Sequence, residues 1–346
     1  MPGIPFEELV RQAREAWTAG QPEEALRFFR AGVELNPLWD EGWWYVGSIH
    51  YEAGHFDDAR NAFRRTVQLK PEAGPAWALL GLCEYELEEY DSALAHLWKG
   101  ESLGLEKTGE VGRVAYHHLA LLLIRDGQFE LPVKYLTRLA ATEPESSQLV
   151  AACGLMTLRM PLLPSEIPDA DRELVMMTGR AVYSALGGQG EEVRERFDAL
   201  IARHPTAPRV HYAYGLYLSL ESAGEDALPM LRKEVELFPD NAQAHLQIAF
   251  EILTRGNPAD ALPSARESVR LAPELFASHL ALGRVLVETG AVDEGLAELE
   301  WASRLAPEVP DIQLALARGY ARAGRTDDVG RARAKLAELL AKQASP

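Results

Sequence analysis

Apolar residues fall along this chain at helical spacing, on one face of successive short segments, and no stretch alternates apolar with polar residues in the manner of a strand. The pattern predicts helices throughout. It also repeats: Pro37 and Pro71, then Pro205, Pro239, Pro273 and Pro307, stand 34 residues apart, as do Ala25, Ala59 and Ala93. With the proline set at position 32, nine units follow, at 6–39, 40–73, 74–107, 113–146, 174–207, 208–241, 242–275, 276–309 and 310–343. Position 8 is Gly or Ala in every unit, from Ala13 and Gly47 to Gly283 and Ala317.

These columns predict two antiparallel helices per unit. Position 15 is Gly in seven units (Gly20, Gly54, Gly127, Gly188, Gly256, Gly290 and Gly324), where the first helix must stop in a left-handed residue. Glu88 and Ser222 depart from it. Position 32 is Pro in seven units because a residue there follows the second helix and cannot extend it; Leu105 and Ala341 are the exceptions. Small residues at positions 8 and 20 let the paired helices approach closely. Large ones at position 24 fill the facing gap: Phe29, Phe63, Leu97, Leu136, Phe197, Leu231 and Leu299.

Within this frame, Trp43-x2-Val46-Gly47 and Trp77-x2-Leu80-Gly81 are followed by Tyr51 and Tyr85, then by Ala59 or Ala93, Phe63 and Pro71. On these residues the chain resembles the tetratricopeptide repeat family, closely over 6–107 and 208–309, more loosely over 113–146, and weakly over 174–207 and 310–343. The resemblance implies an all-α fold, a right-handed solenoid of antiparallel helix pairs, and a non-catalytic scaffold that binds other proteins. It does not specify which partner, because family members serve unrelated processes.

The period breaks twice. Thr108-Gly109-Glu110-Val111-Gly112 is an insertion that keeps the helices. The larger break is 147–173, where 147–159 reads as one helix with Leu149, Cys153, Met156 and Met160 on an apolar stripe. Pro161, Pro164 and Pro168 then exclude a helix, while Leu162, Leu163 and Ile167 are too apolar for a solvated linker. The expected organisation is therefore an N-terminal array at 1–146, an irregular helix with a Pro-rich connector at 147–173, and a C-terminal array at 174–346. The connector is expected to pack against the array, either as an eroded repeat or as a segment that caps the groove. The last unit carries Gln313, Arg331, Arg333, Lys335 and Lys342, a polar set suited to ending a stack.

Charge narrows the choice of partner. Lys plus Arg total 35 against 52 Asp plus Glu, a net charge of -17, with -12 in residues 1–173 and -5 in 174–346. A phosphate backbone or an anionic lipid surface would be repelled over most of such a surface, so neither nucleic acid nor membrane is expected. Cys83 and Cys153 are too few for a disulfide framework or a zinc site and sit among apolar neighbours, as free thiols of a reducing compartment do. The start of the chain lacks the basic-then-apolar plan of a signal peptide, and no long apolar run suggests a membrane span. The expectation is a cytoplasmic protein.

Motifs for catalysis are absent from the sequence. Gly187-Gly188-Gln189-Gly190 resembles a dinucleotide loop but has no strand before it, and Gly104-Leu105-Glu106-Lys107-Thr108 resembles a phosphate loop but lacks the Gly directly before Lys. Ser48 lies in a helix and is not a nucleophile elbow. His211, His245 and His279 occupy position 4 of successive units, too far apart to share a metal ion, and His117 and His118 project about 100° apart on one helix. Neither a cofactor nor a metal is expected.

The informative surface is the inner face of the first helices. In the tetratricopeptide family positions 2, 5, 9, 12 and 13 line a concave groove. Carried over, they give Arg14, Trp17, Trp44, Ser48, Tyr51, Leu82, Tyr85, His117, Leu121, Ile124 and Val182 in the earlier units. In the later ones they give Tyr212, Leu216, Leu246, Phe250, Leu280, Arg284, Arg318 and Arg322. An apolar strip of this length points to another protein or peptide as partner, unless the chain itself covers it. Arg284, Arg318 and Arg322 make the far end of that face basic. No lysine falls on it, which argues against capture of a chaperone tail by the family's lysine-based carboxylate clamp. Self-assembly into a homo-oligomer is the alternative, and a regulatory subunit of an enzyme a remote one.

Overall fold

Nearly every predicted hairpin is present, each joined by the turn its sequence demands. The computed structural model describes residues 4–105, 108–188, 190–221 and 224–344, and among them there are helices, turns and loops but no strand. Contacts divide the chain into two compact units, Met1–Arg196 and Phe197–Pro346. The first holds α1 (Phe6–Thr18), α2 (Pro22–Leu35), α3 (Asp40–Glu52), α4 (Phe56–Leu69), α5 (Gly74–Glu86), α6 (Tyr90–Ser102), α7 (Glu110–Arg125), α8 (Pro132–Thr142), α9 (Ser147–Leu158) and α10 (Asp169–Leu186). Helix α11 (Gly190–Arg203) carries the division between the units. The second holds α12 (Val210–Leu220), α13 (Gly224–Leu237), α14 (Ala242–Thr254), α15 (Pro258–Leu271), α16 (Phe276–Thr289), α17 (Val292–Leu305), α18 (Pro310–Arg322) and α19 (Thr326–Ala344).

The turn between paired helices is set by one backbone conformation. All seven glycines at position 15 have φ between +69° and +95°, the left-handed region that a Cβ disfavours. Glu88 fills that position without glycine's freedom and still takes φ +61°; Ser222 lies outside the described residues. Substituting Glu88→Gly is therefore expected to stabilise the protein by about 0.5–1 kcal/mol. A lowered denaturation midpoint in urea would count against this.

Close helix pairing follows from the small residues at position 8. A Cβ on Gly47 would lie 2.8 Å from the Phe63 ring, one on Gly81 2.8 Å from Leu97 Cγ, one on Gly215 2.7 Å from Leu231 Cγ and one on Gly283 2.6 Å from Leu299 Cγ. In each pair the large residue at position 24 occupies the volume that a side chain at position 8 would need. Phe29, Phe63, Leu97, Leu136, Phe197, Leu231 and Leu299 are all fully buried, as the column predicts. At the N-terminus, Phe29 and Trp39 join Ala13, Ala16, Ala25, Val33, Val46 and Ile49 in one core.

Consecutive hairpins are tied by a ring donor at position 4. Trp43 Nε1–H donates to the Pro37 carbonyl at 3.0 Å and Trp77 Nε1–H to the Pro71 carbonyl at 2.8 Å. His211, His245 and His279 make the same bond through Nε2–H, to Pro205, Pro239 and Pro273 at 2.9, 3.0 and 2.8 Å. Indole and imidazole share the column because each offers an N–H at the end of a flat ring of suitable reach.

The segment 147–173 departs from the expected connector. Helix α9 is as predicted, but it pairs closely with α10, which begins at Asp169 rather than at 174. The prolines make the loop of this hairpin, with a short 3-10 turn at Pro164–Glu166. Leu163 and Ile167 are buried, so the loop is packed, in keeping with its apolar residues. Arg159 ends α9 in the left-handed conformation, and the Ser146 hydroxyl caps its start by accepting from Leu149 N.

Candidate functional site

In the first unit the candidate residues sit on the first helices of the hairpins, and Trp44, Tyr51 and Tyr85 each meet a ring of the second helix. Trp44 of α3 packs edge-on to Phe63, 5.8 Å between centroids, and Tyr51 edge-on to Phe56 at 5.7 Å. Tyr85 of α5 meets Tyr90 at 5.6 Å and His118 at 4.5 Å. Trp17 leans on Tyr45 at 5.5 Å. Each of Trp17, Trp44, Tyr51 and Tyr85 remains half-buried, with part of its ring left to solvent. Ser48 is also half-buried, its hydroxyl donating to the Trp44 carbonyl at 3.0 Å as helical serines do.

Partial burial leaves its mark on titration. The Tyr51 and Tyr85 phenols are each pushed up to about 12 by desolvation, which disfavours the phenolate. His117 is driven down to about 4 for the same reason, so this half-buried ring is neutral at physiological pH. His118 is also lowered by burial, and its Nδ1–H donates to the Val114 carbonyl.

Several carried-over positions are not surface at all. Leu82, Leu121 and Ile124 are at most 3% exposed, and Val182 is buried with them. So buried, they offer a ligand almost no surface. Arg14 is exposed but forked onto Glu41, with Nε to Oε1 at 3.0 Å and Nη2 to Oε2 at 2.5 Å. Glu86, exposed beside Tyr85 and close enough to raise the Tyr51 phenol, belongs to this face although the sequence reading omitted it. The Pro164–Glu166 turn reaches the same neighbourhood. Glu166 stands 4.0 Å from Arg125, whose guanidinium lies 4.4 Å over the Tyr90 ring, while Tyr85 beside it keeps its exposure.

In the second unit Tyr212, Leu216 and Phe250 are half-buried, and Leu280 is buried. The Arg209 guanidinium lies 5.0 Å over Tyr212, and that of Arg284 5.9 Å over Phe250. A cavity of about 460 Å3 opens between α16 and α18, lined by Arg284, Arg318 and Arg322 above Val287, Leu299 and Leu314. Sequence reading placed the three arginines on one face; the apolar floor joins them to a site.

Two buried carboxylates went unnoticed in the sequence. Glu234, fully buried, accepts from Arg209 N at 2.9 Å, Tyr212 N at 3.2 Å and Asn241 Nδ2 at 2.9 Å, closing the start of α12. Glu84, also fully buried, pairs with His96 Nδ1 at 2.5 Å and Arg64 Nη2 at 3.3 Å. Among the described residues no group of three or more His, Cys, Asp or Glu could hold a metal ion, and no helix is long and apolar enough to cross a membrane. Glu106, Lys107 and Gln189 of the two glycine-rich loops lie outside the described residues.

Paired helices of fixed length, glycine-stopped and stacked through a recurrent ring-to-carbonyl bond, define a helical-hairpin repeat protein. A family model described as tetratricopeptide repeat matches residues 10–54, 47–97 and 251–299, and over those segments the chain is built of tetratricopeptide repeats. No curated protein sequence matches it. Among solved structures, MamA (41-end) from Desulfovibrio magneticus RS-1 is similar at 20% identity, over 50% of this chain and 98% of that one, with a TM-score of 0.44. The Cut9-Hcn1 hetero-tetramer of APC/C is similar at 15% identity, over 97% of this chain and 66% of that one, at 0.39. Yeast Tom70 is similar at 12%, over 96% and 85%, at 0.38.

Proposed function

We propose that the chain is a non-catalytic scaffold whose first-helix face holds a peptide or helix of another protein. The observation that carries this reading is the row Trp44, Tyr51 and Tyr85, each gripped from below by a second ring yet still reaching solvent. Rigid aromatic rings that are partly exposed lose little conformational entropy on binding, and such rings dominate the energetics of protein interfaces. Held so, the rings supply shape and apolar contact, and the neighbouring carboxylate of Glu86 supplies orientation. The thiols of Cys83 and Cys153 are buried and both raised to about 12 by desolvation, so neither is poised to react.

Truncating both rings tests the reading. In the Tyr51→Ala, Tyr85→Ala double variant, light scattering should still report the wild-type mass and circular dichroism the wild-type helicity. Affinity for a partner captured by the wild-type chain should fall by at least about tenfold, the loss typical of removing interface hot spots. Unchanged capture would remove the face from the function. A concentration-dependent dimer that the same changes dissociate would transfer the role to self-assembly.

A further inference from the structure

The cavity between α16 and α18 combines an apolar floor with an arginine-rich rim. Its floor is apolar, with Val287 and Leu299 buried and Leu314 39% exposed at its edge. Its rim holds three guanidinium groups against the two carboxylates of Glu288 and Asp311, a local excess of positive charge in a chain of net charge -17. Among the described residues neither carboxylate pairs with any of the three arginines.

The arginines are unequally engaged. Arg322 is pinned, its Nη1 donating to the Val287 carbonyl at the end of α16. Arg284 is oriented by its stacking on Phe250, one hairpin earlier at the same position. Arg318, next in that column, is exposed and makes no hydrogen bond or ion pair among the described residues. Two pre-oriented guanidiniums and one open one beside an apolar cavity suit carboxylate, which Arg binds by two parallel hydrogen bonds. The volume is within the range of cavities that take small ligands or side chains.

We propose that this cavity binds an acidic amphipathic peptide segment of a partner protein, with an aliphatic side chain seated on the accessible Leu314 and Ala321 and a flanking Asp or Glu carboxylate on Arg318 and Arg284. The inference rests on the scaffold reading above and gives the partner its chemistry. A polyphosphate chain fits less well: the apolar floor would go unused, and Glu288 and Asp311 would face a multiply charged ligand at close range.

The test uses the full chain and a displayed library of random dodecapeptides. Peptides enriched on the wild-type protein are synthesised with a fluorescent label, and their binding is measured by polarisation. The partners in that measurement are wild type, Arg318→Glu, and the Tyr51→Ala, Tyr85→Ala variant. Arg318 has no partner to lose, so its substitution should leave the helicity and the melting curve unchanged. The expected result is enrichment of Asp or Glu beside Leu, Ile or Val, and binding weakened about tenfold or more by Arg318→Glu and by high salt. Replacing the critical peptide carboxylate by lysine should restore binding to Arg318→Glu. Failure of any peptide to enrich, enrichment without acidic residues, or equal affinity for Arg318→Glu overturns the proposal. If Arg318→Glu binds normally while the tyrosine variant does not, the scaffold reading stands and this inference falls. Dimerisation of the wild-type chain that Arg318→Glu abolishes would instead assign the cavity to a second copy.

Discussion

Gly179→Ala is expected to destabilise the first unit by about 3–5 kcal/mol, more than any other single-methyl addition in the protein. The added Cβ would lie 1.9 Å from the Val150 carbonyl oxygen and 2.7 Å from its carbon. The contact is reciprocal: a Cβ on Gly154 would lie 2.1 Å from the Val175 carbonyl oxygen. Both obstacles are main chain, which a rotamer change cannot clear, so α9 and α10 must separate by more than an ångström. Separation is costly here because α9 is buried almost throughout, from Leu149 and Val150 to Met156 and Leu158, and opening the pair exposes both walls. Urea denaturation should show the loss in midpoint, and amide exchange should accelerate first in α9 and α10. Gly330→Ala is the control, since nothing lies within 4 Å of its added methyl. A Gly179→Ala protein as stable as this control would mean that the two helices do not approach as described.

The second large effect is expected at Glu234. Its carboxylate is fully buried and satisfies two main-chain N–H groups at the start of α12 together with the Asn241 amide. Helix starts leave such donors without intrahelical partners, and the helix dipole there favours negative charge. The same bonds hold Arg209 in its left-handed conformation at φ +65°. Glu234→Ala leaves three donors, one buried and two part-buried, facing an apolar gap, at about 1–3 kcal/mol for each one that finds no water, so a total near 4 kcal/mol is expected. Glu234→Gln keeps one acceptor but turns an NH2 toward a donor, and should lose about half as much. Calorimetry of the two variants, ranked against Glu236→Ala on the exposed side of the same helix, checks the order. Equal stability of Glu234→Ala and Glu236→Ala would show that the carboxylate does not close α12.

These two sites also mark where sequence reading stopped. A period is legible when the same physical demand recurs in each hairpin. Glycine at position 15 recurs because every first helix ends in the left-handed region, and a small residue opposite a large one recurs because every pair packs at close range. Gly154 and Gly179 answer a demand made once, where α9, outside the period, pairs with α10. Glu234 reads as one more acid on an amphipathic helix, because its donors lie 25 and 22 residues earlier and 7 later. The face proposed to bind was partly legible for a similar reason. A position in the repeat fixes the direction in which Tyr51 or Leu82 points, but not what the neighbouring hairpin lays over it. Leu82 and Leu121 therefore ended beneath the surface while Tyr51 and Tyr85 stayed half outside.

The bond from the position-4 ring to the proline carbonyl bears on how such a chain grows or shrinks. Its donor belongs to the later hairpin and its acceptor to the earlier one, six positions apart in every case from Trp43 to His279. Each of these five junctions thus carries its own fastening, independent of the neighbours on either side. Duplication or excision in whole multiples of the period regenerates the fastening at the new seam, whereas a cut placed elsewhere in the unit removes the ring from its proline.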